Sequence, residues 1–297
     1  MKELKIVNNG IEIQIRDYEG TGSAVLFLHY GGGNLMMWQG VIPFFQKKHR
    51  LILLDLRGHG RSSKPATGYH IDDMAGDVQN VIQQLQPGPV HLVGCSMGAE
   101  VGLSLAAHYP EQTASLVCDG AFYSEYGPYG GWEESETEFN EMVAQQLTEI
   151  HNATDPIFDS VAEFVANRRQ LLEKYNLWDP QFEAIFTYDA CQQTDGPGYT
   201  RSWQKAAREG YFKHYFNYRF EDYYRRVQCP LLVLAPKDEL ENPKAAKIMQ
   251  QVVQLVPDGR LVPAPAATQH PYGWIQDPAG MSEIVLKFLQ EVDNENR

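Results

Sequence analysis

Gly94-Cys95-Ser96-Met97-Gly98 sets a serine in the spacing G-x-S-x-G, directly after the apolar run VHLVGC (Val90 to Cys95) and before a helix-length pattern beginning near Ala99. A serine on a sharp turn between a buried strand and a helix can serve as a nucleophile. Glycines on both sides let strand and helix approach closely, so that the Ser96 Oγ stands clear. The helix start behind it aims backbone N–H groups at negative charge developing on a substrate oxygen. Upstream, His29-Tyr30-Gly31-Gly32-Gly33-Asn34 follows a second apolar run. Its glycines lack the G-x-G-x-x-G spacing of a dinucleotide loop, and no strand-helix unit with an acidic ribose ligand follows. They suit a second donor to an oxyanion instead. The N–H groups of Met97 and Gly31 are the expected donors. Tyr30, beside them, and Trp274, late in the chain, are the candidates for contact with substrate.

These residues need a scaffold, and the hydrophobic pattern supplies one. Ile11, Ile13 and Ile15 alternate as in an amphipathic antiparallel strand or hairpin near a sheet edge. AVLFLHY (24–30), LILLDL (51–56) and VHLVGC (90–95) are apolar on both faces, as central strands of a parallel sheet are when helices cover them. Helix patterns fall between them at Ile71 to Leu85 and Ala99 to Tyr109, the latter stopped by Pro110, and SLVCDG ends a further strand at Gly120. No comparable strand follows until LLVLA after Pro230. A helix from Pro243 to Val256, a strand from Arg260 to Ala264 and a final amphipathic helix from about Pro278 to Val292 complete the pattern. The expected architecture is a doubly wound, mostly parallel α/β sheet flanked by helices, made of residues 1–120 and 229–297, with a helical insertion at 121–228.

Composition narrows the function further. The chain has 297 residues, 43% of them hydrophobic, and a net charge of −13. A surface of that sign repels nucleic acid and anionic membranes, so neither is an expected partner. The acidity is local: residues 65–167 contain 16 Asp and Glu and no Lys or Arg. The N-terminus lacks the apolar run of a secretory signal and no stretch is long enough to span a bilayer, which points to a soluble, cytoplasmic protein. Four cysteines without CxxC pairing read as free thiols, and nine scattered histidines without HExxH or Cys/His tandems give no metal site. No cofactor is expected.

With these motifs in hand, the chain resembles the α/β-hydrolase superfamily over nearly its whole length. DLRGHGRSS (Asp55 to Ser63) is similar to that family's D-x-R-G-x-G-x-S segment, and the glycine-rich loop to its H-G-x-x loop, with Tyr30 where glycine is usual. The resemblance implies a triad in the chain order Ser, acid, His. His270, in TQHPYGWIQDP and followed by Asp277-Pro278, is then the base. The acid is left between two neighbours. Aligning the family pattern G-x-x-D-x-x-x-P on Pro243 puts Glu239 at the acid position. A turn shifted by one residue would put Asp238 there, and Asp119 at the end of the preceding strand is the remaining candidate.

The resemblance also makes 121–228 a cap over the site. This segment carries 11 of the 16 Tyr and three of the five Trp, and its stretch Tyr211 to Arg226 sets Tyr211, Tyr215 and Tyr218 on one helical face. Such a cap suggests an apolar or aromatic pocket with a few hydroxyl donors, fitted to a small neutral acyl substrate. The expected activity is hydrolysis of a carboxylic ester or lactone through an acyl-enzyme on Ser96. Carbon–carbon or amide hydrolysis with the same residues and a receptor that binds a small ligand without turnover are the alternatives, and oligomeric state is left open.

Overall fold

The computed structural model describes residues 1–193, 196–265 and 268–295. Its frame is an eight-stranded sheet in the order β1-β2-β4-β3-β5-β6-β9-β10. The first two strands, β1 (Lys2–Asn8) and β2 (Ile11–Tyr18), form the expected antiparallel hairpin at the edge, and β2 runs antiparallel to β4 (Arg50–Leu54). From β4 onward the sheet is parallel through β3 (Ala24–Leu28), β5 (Val90–Cys95), β6 (Thr113–Asp119), β9 (Leu231–Ala235) and β10 (Gly259–Pro263). Every residue of β3, β5 and β9 is buried, which is why these runs read as uninterrupted apolar stretches.

Helices cover both faces. The short α1 (Ile42–Phe45) is followed by α2 (Ile71–Leu85), which begins and ends where its hydrophobic period does, with His70 accepting from Asp72 N as N-cap. After β5 comes α3 (Met97–His108), eleven of whose twelve residues are buried. Between β6 and β9 lie α4 (Glu136–Asn152), α5 (Val161–Lys174), α6 (Gln181–Asp189), the two-residue strands β7 (Cys191–Gln192) and β8 (Tyr199–Thr200), α7 (Lys205–Tyr215) and α8 (Phe220–Tyr224). The aromatic stretch expected to run as one helical face is therefore broken between Tyr215 and Phe220. After β9 come α9 (Lys237–Glu241) and α10 (Pro243–Val253), and after β10 come α11 (Gly273–Gln276) and α12 (Pro278–Glu295). No described helix is long and apolar enough to cross a membrane.

The sheet divides the core in two. Tyr211, Tyr218, Phe220 and Tyr224 pack with α2 and α3 on one face, and Phe158, Phe164, Phe182 and Phe186 pack with Trp38, Trp274 and α12 on the other. Residues between β6 and β9 thus share both clusters with the sheet, and apolar burial holds them against it. The order turns at β3, whose neighbours β4 and β5 follow it in opposite directions along the sheet. A crevice is expected beyond the carboxyl ends of the strands at such a switch point. The loops after β3, β5, β6, β9 and β10 all open there.

Candidate active site

Ser96 sits between the end of β5 and the first residue of α3 with φ 50° and ψ −121°. A non-glycine residue holds that conformation only when its surroundings enforce it. Ser96 N donates to Asp119 O at 2.6 Å, and Ser96 O accepts from Ala99 N at 2.8 Å. The glycines are demanded by contact: a Cβ at Gly94 would lie 2.4 Å from Gly98 O, and one at Gly98 would lie 2.1 Å from Leu28 O. Strand, turn and helix therefore close on one another as the G-x-S-x-G spacing anticipated.

The histidine comes from the loop after β10. His270 Nδ1–H donates to Asp119 Oδ1 at 3.0 Å, and Trp274 Nε1–H donates to Asp119 Oδ2 at 2.9 Å. Asp119 is buried, the last residue of β6, and the register of β5 and β6 pairs it with Cys95, the residue before the serine. Neighbouring parallel strands thus deliver carboxylate and serine side by side. Burial alone would push the His270 imidazole down, but the hydrogen bond and charge of Asp119, with Glu239 and Asp238 adding, hold it above its ordinary 6.5.

The two acids placed first by the sequence do not contact His270. Pro236 opens α9 straight after β9, so Asp238 and Glu239 ride its first turn at the cavity rim. Glu239 instead accepts from Tyr123 Oη at 2.9 Å, and Asp238 is exposed. The one signal for Asp119 in the sequence was an acid closing an otherwise apolar strand. Trp274 also needs correction: it is fully buried, stacks edge-on with Trp38 at 5.1 Å and braces Asp119, so it positions the carboxylate and is not part of the cavity wall.

Met97 and Gly31 do come together. A Cβ at Gly31 would lie 3.0 Å from Met97 Cε and 3.2 Å from the Trp203 ring, and both residues line, with Tyr30 and Ser96, a cavity of about 270 Å³. His29 braces this loop. It is fully buried, donates from Nδ1 to Tyr30 O at 2.8 Å, and accepts at Nε2 from Leu56 N at 3.0 Å. Burial pushes its imidazole down to about 4, so it stays neutral. Asp55 ties the neighbouring turn, accepting from Leu35 N, Arg61 N and Tyr188 Oη.

A larger cavity of about 740 Å³ meets the first one at Ser96, Glu100 and Tyr215, and His270 stands in its wall. Glu100 was not foreseen as a site residue. It lies on the first turn of α3, is only 4% exposed, and accepts from Tyr211 Oη with both oxygens, at 2.9 and 2.7 Å. Burial pushes its carboxyl up to about 7, the Tyr211 hydrogen bond opposes this, and the nearby Glu125 adds to it. Cys95 Sγ, Asp119 and His270 present three ligand-type atoms within 4.8 Å of one another. Asp119 and His270 already use their facing atoms on each other, and burial holds the Cys95 thiol well above its ordinary range, so the set suits a braced imidazole better than a metal.

The family model for the alpha/beta hydrolase fold matches residues 23–266, the span that holds the elbow, the glycine-rich loop and β10. The chain belongs to the α/β-hydrolase fold family. Among curated relatives of this α/β hydrolase, 3-oxoadipate enol-lactonase 2 of Acinetobacter baylyi is 43% identical over 94 residues, 32% of this chain and 35% of the relative. A 2-(acetamidomethylene)succinate hydrolase of Mesorhizobium japonicum is 36% identical over 107 residues, 36% of this chain and 38% of the relative. The chain thus spans little more than a third of the length of these two relatives. The solved structure of E-2-(acetamidomethylene)succinate hydrolase superposes with a TM-score of 0.73 at 24% identity, covering 97% of this chain and 99% of that one, which shows the shared fold.

Proposed function

We propose that this protein is a serine hydrolase of carboxylic esters or lactones. The observation that carries the reading is His270, braced by Asp119, standing in one cavity wall with a serine on a strained turn. With its Nδ1 proton committed to Asp119, the imidazole offers Nε2 to the Ser96 hydroxyl. Ser96 Oγ bonds to the carbonyl carbon as His270 takes its proton, and the N–H groups of Met97 and Gly31 stabilise the oxyanion. The C–O bond to the alcohol then breaks and His270 returns the proton to the leaving oxygen. Water, deprotonated by His270, attacks the acyl-enzyme and releases the carboxylic acid and Ser96.

Residues 121–228 act in this reading as the cap, since Tyr123, Glu125, Tyr215 and Phe220 from that segment line the cavity together with Ser96 and His270. The names of the two curated relatives contain dicarboxylates, oxoadipate and succinate. Here the larger cavity is lined by Glu100, Glu125, Asp238, Glu239 and Glu241 against Lys237, itself 3.7 Å from Glu241. An anionic substrate would be repelled in that setting, so the substrate differs in charge from those names.

The test is turnover of p-nitrophenyl acetate by Ser96→Ala, with the melting temperature as control. Loss of turnover to the uncatalysed rate with an unchanged melting temperature is expected. Undiminished turnover in the variant would overturn the reading.

A further inference from the structure

We propose that the acyl group accepted by this cavity carries a protonated amine, held by Glu100 and Glu125 close to the reacting carbonyl. The inference rests on the hydrolase reading for its catalytic part, but the binding part stands on the cavity itself. Glu100 follows Ser96 by one helical turn, its N–H donates to Ser96 O at 3.2 Å, and it lines the same small cavity as the two expected oxyanion donors, Met97 and Gly31. A carboxylate offers about four acceptor positions. The single Tyr211 hydroxyl proton is shared between the two oxygens, and no Lys, Arg or His pairs with Glu100 or Glu125 among the described residues. A nine-tenths buried carboxylate with most of its acceptor capacity unmet and an open cavity beside it is costly unless something arrives to pair with it.

Glu125 doubles the demand. It lies near enough to Glu100 to disfavour ionisation of Glu100, and its own donor is the Tyr215 hydroxyl. Beside Glu100, Trp203, Tyr211, Phe212 and Tyr215 line the smaller cavity, and Tyr215 with Glu100 also lines the larger one, where Glu125 stands. Aromatic faces attract organic cations, and an ammonium brings three donors to two carboxylates, so a protonated amine satisfies both parts of the wall at once. Among the described residues, the larger cavity offers a carboxylate substrate no Lys or Arg except the rim lysine already near Glu241.

The experiment uses the full-length Ser96→Ala protein, which binds without turnover, and calorimetric titration at pH 7 with three methyl esters of matched size: alanine methyl ester, methyl isobutyrate and monomethyl malonate. The ammonium ester is expected to bind at least about tenfold more tightly than the neutral one, the anionic ester more weakly than either, and the preference to fall below about threefold on Glu100→Gln or on Glu125→Gln. Glu125→Gln guards against a folding defect in the more buried variant. Equal affinity for the ammonium and neutral esters, or a preference untouched by Glu125→Gln and by a folded Glu100→Gln, would overturn the proposal. A Glu100 that is merely protonated and structural gives the latter result, because glutamine replaces it without change of charge. Turnover of methyl isobutyrate by the wild type, lost on Ser96→Ala, reports separately on the hydrolase reading, so failure of either idea is visible without the other.

Discussion

A histidine that takes a proton from serine must be neutral when substrate arrives and must tolerate a positive charge a moment later. In the proposed reaction Asp119 would serve both needs by fixing the tautomer through Nδ1 and offsetting the imidazolium, while Trp274 donates to its second carboxylate oxygen. Asp119→Asn is therefore expected to lower kcat by about three to four orders of magnitude. Glu239→Gln should lower it by less than about tenfold, because Glu239 acts on His270 only through space. A pH profile separates the roles. The raised His270 means that kcat/KM falls as pH drops through a value above 6.5, and Glu239→Gln or Asp238→Asn should move that limb to lower pH, toward the ordinary value. A limb that stays fixed in both variants would remove these carboxylates from the electrostatics of the base. At this scale the turn at Ser96 could be read from the chain, because the motif's spacing and context define it. The carboxylate that His270 contacts could not. It depends on which strand lies beside β5, and β6 reaches that place with Asp119 while the loop after β9 winds at once into α9.

The element that sets the Ser96 turn is the junction of β5 and α3, and its geometry rests on atoms that glycine lacks. With Leu28 O only 2.1 Å from where a Gly98 Cβ would be, Gly98→Ala must push β3 and α3 apart at the level of the expected oxyanion donors. A destabilisation of about 3 kcal/mol is expected in denaturant unfolding, together with a larger loss in kcat than in substrate affinity. A variant as stable and active as the wild type would show that the junction is looser than its contacts indicate. Elements were more legible than residues. The strands VHLVGC and LLVLA fall where their runs begin and end, since every residue of both is buried, and the helix Ile71–Leu85 spans its apolar period. The stretch from Tyr211 was less so: its aromatic spacing continues through a break in the helix, because Tyr218 and Phe220 are placed by packing against α2 and α3 and not by helical period.

For the molecule as a whole, the charge of −13 does not act as one field. Most acids of the 65–167 stretch are exposed, Glu133, Glu134, Glu136, Glu138, Glu141 and Glu149 of them around α4, and water screens them. The cavity draws only Glu100 and Glu125 from that stretch and takes Asp238, Glu239 and Glu241 from beyond β9. Two regions distant in sequence therefore make one acidic mouth, and the linear charge pattern shows only half of it. Exposed rim carboxylates and buried wall carboxylates should answer differently to salt. The Debye length shrinks from about 30 Å at 0.01 M to about 8 Å at 0.15 M, which removes long-range attraction at the rim but leaves short contacts inside the cavity largely intact. Across that range kcat/KM for alanine methyl ester is expected to fall by about two- to fivefold and that for monomethyl malonate to rise. Methyl isobutyrate should not respond. The Glu100→Gln variant should keep the same salt slope for the ammonium ester at a lower absolute rate, since the rim that attracts the cation is unaltered. If the slope disappears with Glu100, the attraction originates inside the cavity and the rim carboxylates contribute nothing to capture.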